Sequence, residues 1–377
     1  MLKPHVDFRR LKALVIKEMV QISKDSSSLL ICAFLPLMLI FIYGYGVSLD
    51  LNHLRIGVVL EDTSPEARSF AQSFSDSRYF DVTIVYDRKS LDDDLTSGAI
   101  RGLVVIPSYF SQYLHRSTTA APIQVIADGS ETNTSNFVLN YVNGAFQNWM
   151  AQEAMVKGVK SAPLIQIQPR YWYNEELESR FFLLPGSLAI IMTLIGSMLT
   201  ALVVAREWER GTMESMISTP VTVGELILGK MIPYFVLGLI SLTICLVLSI
   251  TLFHLPFRGS YWLLYLSSSV FLLCSLSFGL MISTIAKNQV IAYQISLIAA
   301  FLPAYMLSGF IFEISSMPGW IQILTDFLYP KYFVQSLQTL FLVGNVWNLI
   351  FINMIPMIFL GIIFFGITAI KTKKRLE

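Results

Sequence analysis

Six stretches of the chain are apolar and uncharged over about the twenty residues that a bilayer-crossing helix requires. They run from Leu29 to Leu49, Phe181 to Ala205, Met231 to Phe253, Tyr261 to Ala286, Val290 to Phe310 and Val346 to Ile370, and they predict six transmembrane helices. Between the fifth and sixth, Glu313 to Asn345 stays apolar but carries Pro318, Trp320, Asp326, Pro330 and Lys331. Residues 313–345 are therefore expected to form helices lying on, or partly entering, the outer face. A seventh span is disfavoured, because Asp326 and Lys331 would each cost about 2.5 kcal/mol or more at the bilayer centre.

The segment between the first two spans has another rhythm. Arg55 to Leu60, Val82 to Tyr86, Gly102 to Ile106 and Ile123 to Ala127 are short β-rich runs. Ser64 to Ser75, Leu91 to Ser97 and Tyr109 to His115 read as helices between them. From Asn133 to about Val159, the residues Phe137, Tyr141, Ala145 and Trp149 recur every four, the mark of one long amphipathic helix. A last strand is expected over Ile165 to Tyr173. With 11 basic and 16 acidic residues, Asp50 to Arg180 is too polar for lipid and is expected to fold as an α/β layer outside the membrane.

Composition agrees with this division. The 377 residues are 54% hydrophobic and only 14% charged, and the mean hydropathy is +0.60, well outside the soluble range. The net charge of +1 gives no reason to expect a nucleic-acid partner. Lys and Arg sit asymmetrically: with the N-terminus inside, fourteen lie on the inner side, whereas the short outer loops hold only Arg258 and Lys331. Both termini are thus expected in the cytoplasm. A signal peptide is the alternative for the first stretch, but a 28-residue lead, a full-length apolar run and no A-x-A site favour a retained helix.

Two inner segments carry functional expectation. In residues 1–28, Phe8, Leu11, Val15, Met19 and Ile22 are spaced three and four apart with Arg9, Arg10, Lys12 and Lys17 around them. That predicts a helix lying along the inner leaflet, its basic residues meeting anionic lipid head groups. Between the second and third spans stands REWERGTMESMISTPVTVGELILGK, Arg206 to Lys230. Its first half can form a short amphipathic helix over 206–220, ending before Pro220. A partner that moves such a helix must move both attached spans; the plainer alternative is a solvated loop whose charges obey topology.

Catalysis on this chain has little support. Gly224 to Lys230 has the spacing G-x-x-x-x-G-K, but Met231 stands where a P-loop needs Ser or Thr, no strand precedes it and a span follows. The four histidines, His5, His53, His115 and His254, are scattered, and Cys32, Cys245 and Cys274 all lie in apolar runs, so no metal site or disulfide framework is expected. Asp92, Asp93 and Asp94 open a short helix, where negative charge suits the dipole better than it suggests calcium. In the second span Thr193, Ser197 and Ala201 recur every four residues; close helix packing is the first explanation and pathway lining the second. In the fifth, Asn288, Gln289, Tyr293, Gln294 and Ser296 make the inner half polar enough to line a cavity. No charge lies deep in a span, which argues against a self-powered antiporter.

The stretches KEMVQISKD (Lys17 to Asp25), EWERGTMESMISTP (Glu207 to Pro220) and LSGFIFEISSMP (Leu307 to Pro318) closely resemble the ABC-2 type permease subunits of ATP-driven exporters. FIYGYGVSLD, IRGLVVIP, IQVIADGSETNTSNFV and the closing IKTKKRLE extend the likeness over the whole chain, to the bacterial subgroup with a large periplasmic domain. The resemblance implies a multi-pass, six-span α-helical inner-membrane protein with a periplasmic α/β domain at 50–180 and a connecting helix at 1–28. It also implies a coupling helix at 206–220 seated on the ATPase, so that Arg206, Glu207, Glu209, Arg210, Gly211, Thr212 and Glu214 become the coupling candidates, with Thr193, Ser197, Tyr293 and Gln294 as pathway candidates. The partners implied are a cytosolic ATPase dimer that binds the ATP and magnesium, and a second permease, identical or sister. A periplasmic adaptor and an outer-membrane channel follow from the same likeness. The cargo implied is drugs or other amphipathic compounds, with monovalent cations also in question. A membrane-anchored scaffold or sensor, or a cation antiporter, is the rival reading.

Overall fold

The computed structural model describes residues 7–25, 28, 30–46, 53–114, 123–127, 132–156, 173 and 178–372. These divide into two compact units, one made of Met1–Ser48 with Tyr171–Glu377 and the other of Leu49–Arg170. Most of the expected strand at 165–173 lies outside the described residues.

The larger unit opens with α1 (Phe8–Lys24), whose N-cap Asp7 accepts from the Arg9 backbone N–H at 2.9 Å. The apolar helix α2 (Leu30–Gly46) follows, with wide π-type turns at both ends.

In the smaller unit β1 (Leu54–Leu60) leads into α3 (Pro65–Ser75), which has Ser64 as N-cap and Pro65 at its first position. Then come β2 (Phe80–Val85), α4 (Asp92–Thr96), β3 (Gly102–Ile106), α5 (Phe110–Leu114), β4 (Gln124–Ala127) and the long α6 (Thr132–Val156). The sheet order is β2-β1-β3-β4, with β1 parallel to both neighbours and β4 antiparallel to β3. β3 is buried at every position, as a strand covered on both faces must be. Phe70, Phe74, Phe110, Val138 and Trp149 pack on one face, and Leu91 and Ile100 on the other. Asp62, at the end of β1, accepts from the backbone N–H groups of Ser64 (2.8 Å) and Ser111 (2.9 Å). Burial pushes its carboxyl up, but these donors outweigh it and hold it below the usual range.

The larger unit resumes with α7 (Ser179–Glu209), α8 (Thr212–Ile217), α9 (Val223–Thr251), α10 (Tyr261–Ala286), α11 (Gln289–Leu307), α12 (Gly319–Thr325), α13 (Tyr329–Gln338) and α14 (Trp347–Lys371). Five helices, α7, α9, α10, α11 and α14, are long and apolar enough to cross a membrane, and α2 is a shorter apolar helix. The protein is a polytopic, mostly helical membrane protein. α7 is its central post, buried over nearly all of its length and circumference. α10 packs along it so closely that a side chain on Gly279 would strike the Ser197 carbonyl and the Thr200 hydroxyl. α11, by contrast, is largely exposed.

Two boundaries differ from the hydropathy reading. α7 continues past Ala205 to Glu209, and α9 starts at Val223, well before Met231. Charged residues are tolerated on these extensions because partners from other elements meet them. In the region 313–345, α13 enters the bundle and packs against α7, α10 and α14. The Phe333 ring stacks on Phe271 at 4.0 Å between centroids, and the Tyr329 hydroxyl lies 3.3 Å from that of Ser275, midway along α10. The two charges that weighed against a deep position answer each other, with Lys331 Nζ 2.5 Å from Asp326 Oδ1.

Candidate functional site

At the end of α7 that carries its charges, three helices are tied together by ions and a fourth joins them through a hydroxyl. Lys230 on α9 and Glu18 on α1 are each 2% exposed. Lys230 Nζ donates to Glu18 Oε1 at 2.7 Å and to Glu207 Oε1 of α7 at 3.3 Å. Lys17 Nζ reaches the same Glu207 oxygen at 2.6 Å and Glu18 Oε1 at 3.6 Å. The second oxygen of Glu207 accepts from the Thr212 hydroxyl, at the start of α8. Two ammonium groups thus face two carboxylates, with Lys230, Glu18 and Glu207 withdrawn from solvent and Lys17 at the exposed edge, so that each buried charge has an opposite one beside it.

A second pair flanks the first. Arg206 Nη1 donates to Asp25 Oδ2 at 2.6 Å, binding α7 to the segment after α1, and Ser28 donates to the same oxygen. Glu209 accepts from the backbone and side-chain N–H groups of Gln289 at the start of α11, and Lys287 lies over the Trp208 ring at 4.8 Å. Further out, Glu225 closes a capping box with Thr222 at the start of α9 and also accepts from the Asp7 backbone N–H at 2.6 Å. Arg10 donates to the Pro220 carbonyl and lies 3.6 Å from Glu225. Leu14 of α1 packs where Gly229 leaves room.

The seven coupling candidates separate into two groups. Arg206 and Glu207 are buried in the ion network; Glu209, Arg210, Gly211, Thr212 and Glu214 are exposed. They do not share one amphipathic helix over 206–220, as the sequence suggested. The α7 helix ends at Glu209, Gly211 takes a left-handed conformation at φ 68°, and α8 is a separate turn-and-a-half from Thr212 to Ile217. Glycine at that position lets the chain reverse without Cβ strain. A cleft of about 320 Å³ opens between α1 and α8, lined by Lys17, Gln21, Arg210, Thr212, Met216 and Thr219 among others.

Of the pathway candidates, Thr193 and Ser197 are fully buried in the packed interior of this chain. Their hydroxyls donate to the carbonyls of Ala189 and Thr193, each at 2.7 Å, in the i−4 pattern that lets a polar side chain sit in an apolar bundle. Tyr293 and Gln294 are exposed on α11.

Glu18, Asp25 and Lys230 are members of the network that sequence reasoning did not single out, and Gln289, read there as lining a cavity, instead donates to Glu209. One signal was present for Glu18. The inward stripe of α1 runs through Leu11, Leu14, Val15 and Ile22, and Glu18 occupies the position where an apolar residue should stand. Met19 and Phe8, counted in the expected stripe, are 49% and 77% exposed. The GELILGK run begins α9 as helix, and its Lys230 is held by two carboxylates.

The family model described as ABC-2 family transporter protein matches residues 26–370. The chain is 48% identical over 377 residues, the full length of both proteins, to the probable multidrug ABC transporter permease YbhS of Escherichia coli strain K12. It is 27% identical to the probable multidrug ABC transporter permease YbhR of the same strain, over 90% of this chain and 93% of that one. To the inner membrane transport permease YhhJ, also of that strain, it is 24% identical over 98% of both chains. An integral membrane protein whose charged helix ends gather into one buried cluster, and whose sequence matches that model over most of its length, belongs to the ABC-2 transporter family.

Proposed function

We propose that this chain is the permease subunit of an ATP-driven exporter of the bacterial inner membrane, powered by separate cytosolic ATPase subunits. In this reading α2 completes a set of six spans, both termini are cytoplasmic, and the α/β unit, inserted between α2 and α7, is periplasmic. A second permease, identical or sister, supplies the other half of the pathway. Gln294 and Tyr293 support that arrangement, since an amide exposed on a membrane helix is poorly served by lipid and well served by a protein neighbour or a hydrated cleft. The names of the relatives suggest drugs as cargo, and an amphipathic compound suits spans that are polar only in hydroxyls and amides.

The single observation that carries the proposal is the ion network. α8 projects from the inner end of α7 with Arg210 and Glu214 exposed, available to a cytosolic subunit. Its first residue is bound to Glu207, and Glu207 is bound to Lys17 of α1 and Lys230 of α9. A push on α8 by the closing ATPase therefore reaches three helices through one carboxylate, and alternates access between two packings of the spans. The same chain of contacts does not require catalysis on this polypeptide.

Purification of the chain from its native membrane tests the proposal. A nucleotide-hydrolysing subunit is expected to co-purify, and Arg210→Glu or Glu214→Lys is expected to weaken that association while leaving the permease inserted. Recovery of the intact chain without any ATPase, under conditions that preserve other transporters, would contradict it.

A further inference from the structure

About 36 Å along α7 from Arg206, at 1.5 Å per residue, Phe182 forms one wall of a cleft of about 600 Å³. Residues Ser308 to Ser315, after α11, form the second wall, and Lys331, Val334 and Gln338 of α13 the third. The volume is that of a small-molecule site. Two of its polar groups lack a partner among the described residues, and here, unlike at Ser267, Ser268 and Ser296, they sit beside an open cleft. Ser308 is 2% exposed, and its hydroxyl has no hydrogen-bond partner among the described residues. The Gln338 amide nitrogen is likewise buried and without a partner there. Leaving a buried donor unmade costs free energy, so a cleft with two such groups is built for something that supplies acceptors.

The charges at the rim specify the ligand further. Lys331 is already engaged, 2.5 Å from Asp326 and 3.0 Å from the Thr325 hydroxyl. Glu313 is exposed, and among the described residues it pairs with no cationic side chain; its carboxylate accepts from the Ser315 hydroxyl at 2.6 Å. The free electrostatic capacity of the cleft is therefore one carboxylate. Phe182, Ile311, Ile314 and Val334 supply apolar wall.

We propose that this cleft binds an amphiphilic amine: the protonated nitrogen at Glu313, a carbonyl or sulfonyl oxygen accepting from Ser308 and Gln338, and the apolar body against Phe182 and Ile314. The inference rests on the permease reading for its meaning, because a cleft at the end of α7 opposite the ion network is then an exit-side cargo site. Its chemistry is tested separately from that reading.

The test uses the full-length protein in lipid nanodiscs with dansylcadaverine, whose fluorescence rises and shifts to the blue on entering an apolar site, and with its N-acetyl derivative, which lacks the charge. Saturable binding of the amine is expected, with the acetylated probe weaker by about 5-fold or more, as loss of a charge-assisted contact implies. Glu313→Gln, at an exposed position, should abolish that preference. Ser308→Ala and Gln338→Leu should each weaken both probes by about 5–10-fold, the size of one net hydrogen bond. Absence of saturable binding, equal affinity for the two probes, or variants that bind as the parent does would overturn the proposal and leave ordered water as the partner of Ser308 and Gln338. Recovery of a partner ATPase from the same membranes reports on the permease reading independently, so the two can fail separately.

Discussion

The larger unit buries polar groups in two regions, and the two are built on opposite principles. Along the seam between α7 and α10, the hydroxyls of Thr193, Ser197 and Thr200 are returned to carbonyls one turn back on their own helix, and Thr200 also reaches the Leu276 carbonyl of α10 at 3.0 Å. At the charged end of α7, Glu207, Lys230 and Glu18 find partners some 20 to 210 residues away in sequence. Thr193 and Ser197 are satisfied on their own helix and so permit close approach, and the few ties across the seam are single hydrogen bonds between neutral groups. The ions satisfy one another across three helices, so a shift of α1, α7 or α9 strains the pairs made with the other two. Polar residues thus chiefly allow helices to meet in the one region and tie them by charge in the other.

The sharpest way to break the comparison is to remove one ion. Lys230→Ala leaves Glu18 and Glu207 short of their shared counter-charge, and should cost about 3–5 kcal/mol, read as a large fall in the thermal midpoint in detergent. The charge-reversed double variant Glu18→Lys with Lys230→Glu should recover part of that loss. At the seam the sensitive element is the contact distance. Gly279→Ala places a carbon against the Ser197 carbonyl and Thr200 hydroxyl, and should cost about 1–3 kcal/mol through overpacking. Smallest of all, Ser197→Ala removes a hydroxyl that serves only its own helix, and should change the stability by less than about 1 kcal/mol. A Ser197→Ala effect as large as that of Lys230→Ala would erase the distinction between the two regions.

Much of the architecture could be read from residue order because it is set locally. The runs Arg55–Leu60 and Gly102–Ile106 are strands, and the fourfold spacing from Phe137 to Trp149 is a helix, since each pattern needs only its own neighbours. The helix ends were hidden for the converse reason. Arg206 and Glu207 look like residues that have left a span, and only the distant Asp25, Lys17 and Lys230 make it possible for α7 to carry them in a buried position. For 313–345 the sequence left open whether the helices lie on the outer face or partly enter it, because the pairing of Asp326 with Lys331 could not be read from residue order. Among the site residues, the exposed Arg210 and Glu214 follow from composition. The importance of Glu18 does not, beyond its interruption of an apolar stripe.

The central claim is that α8 acts on the spans through the contact between Thr212 and Glu207. A double-mutant cycle on ATP hydrolysis by the assembled complex tests it most directly, using Thr212→Val, Glu207→Gln and the two combined. Each single variant should lower the stimulation of the ATPase by this chain, and Thr212→Val should have no further effect once Glu207 is replaced. Full stimulation in the Thr212→Val complex, or losses that simply multiply in the double variant, would contradict the claim.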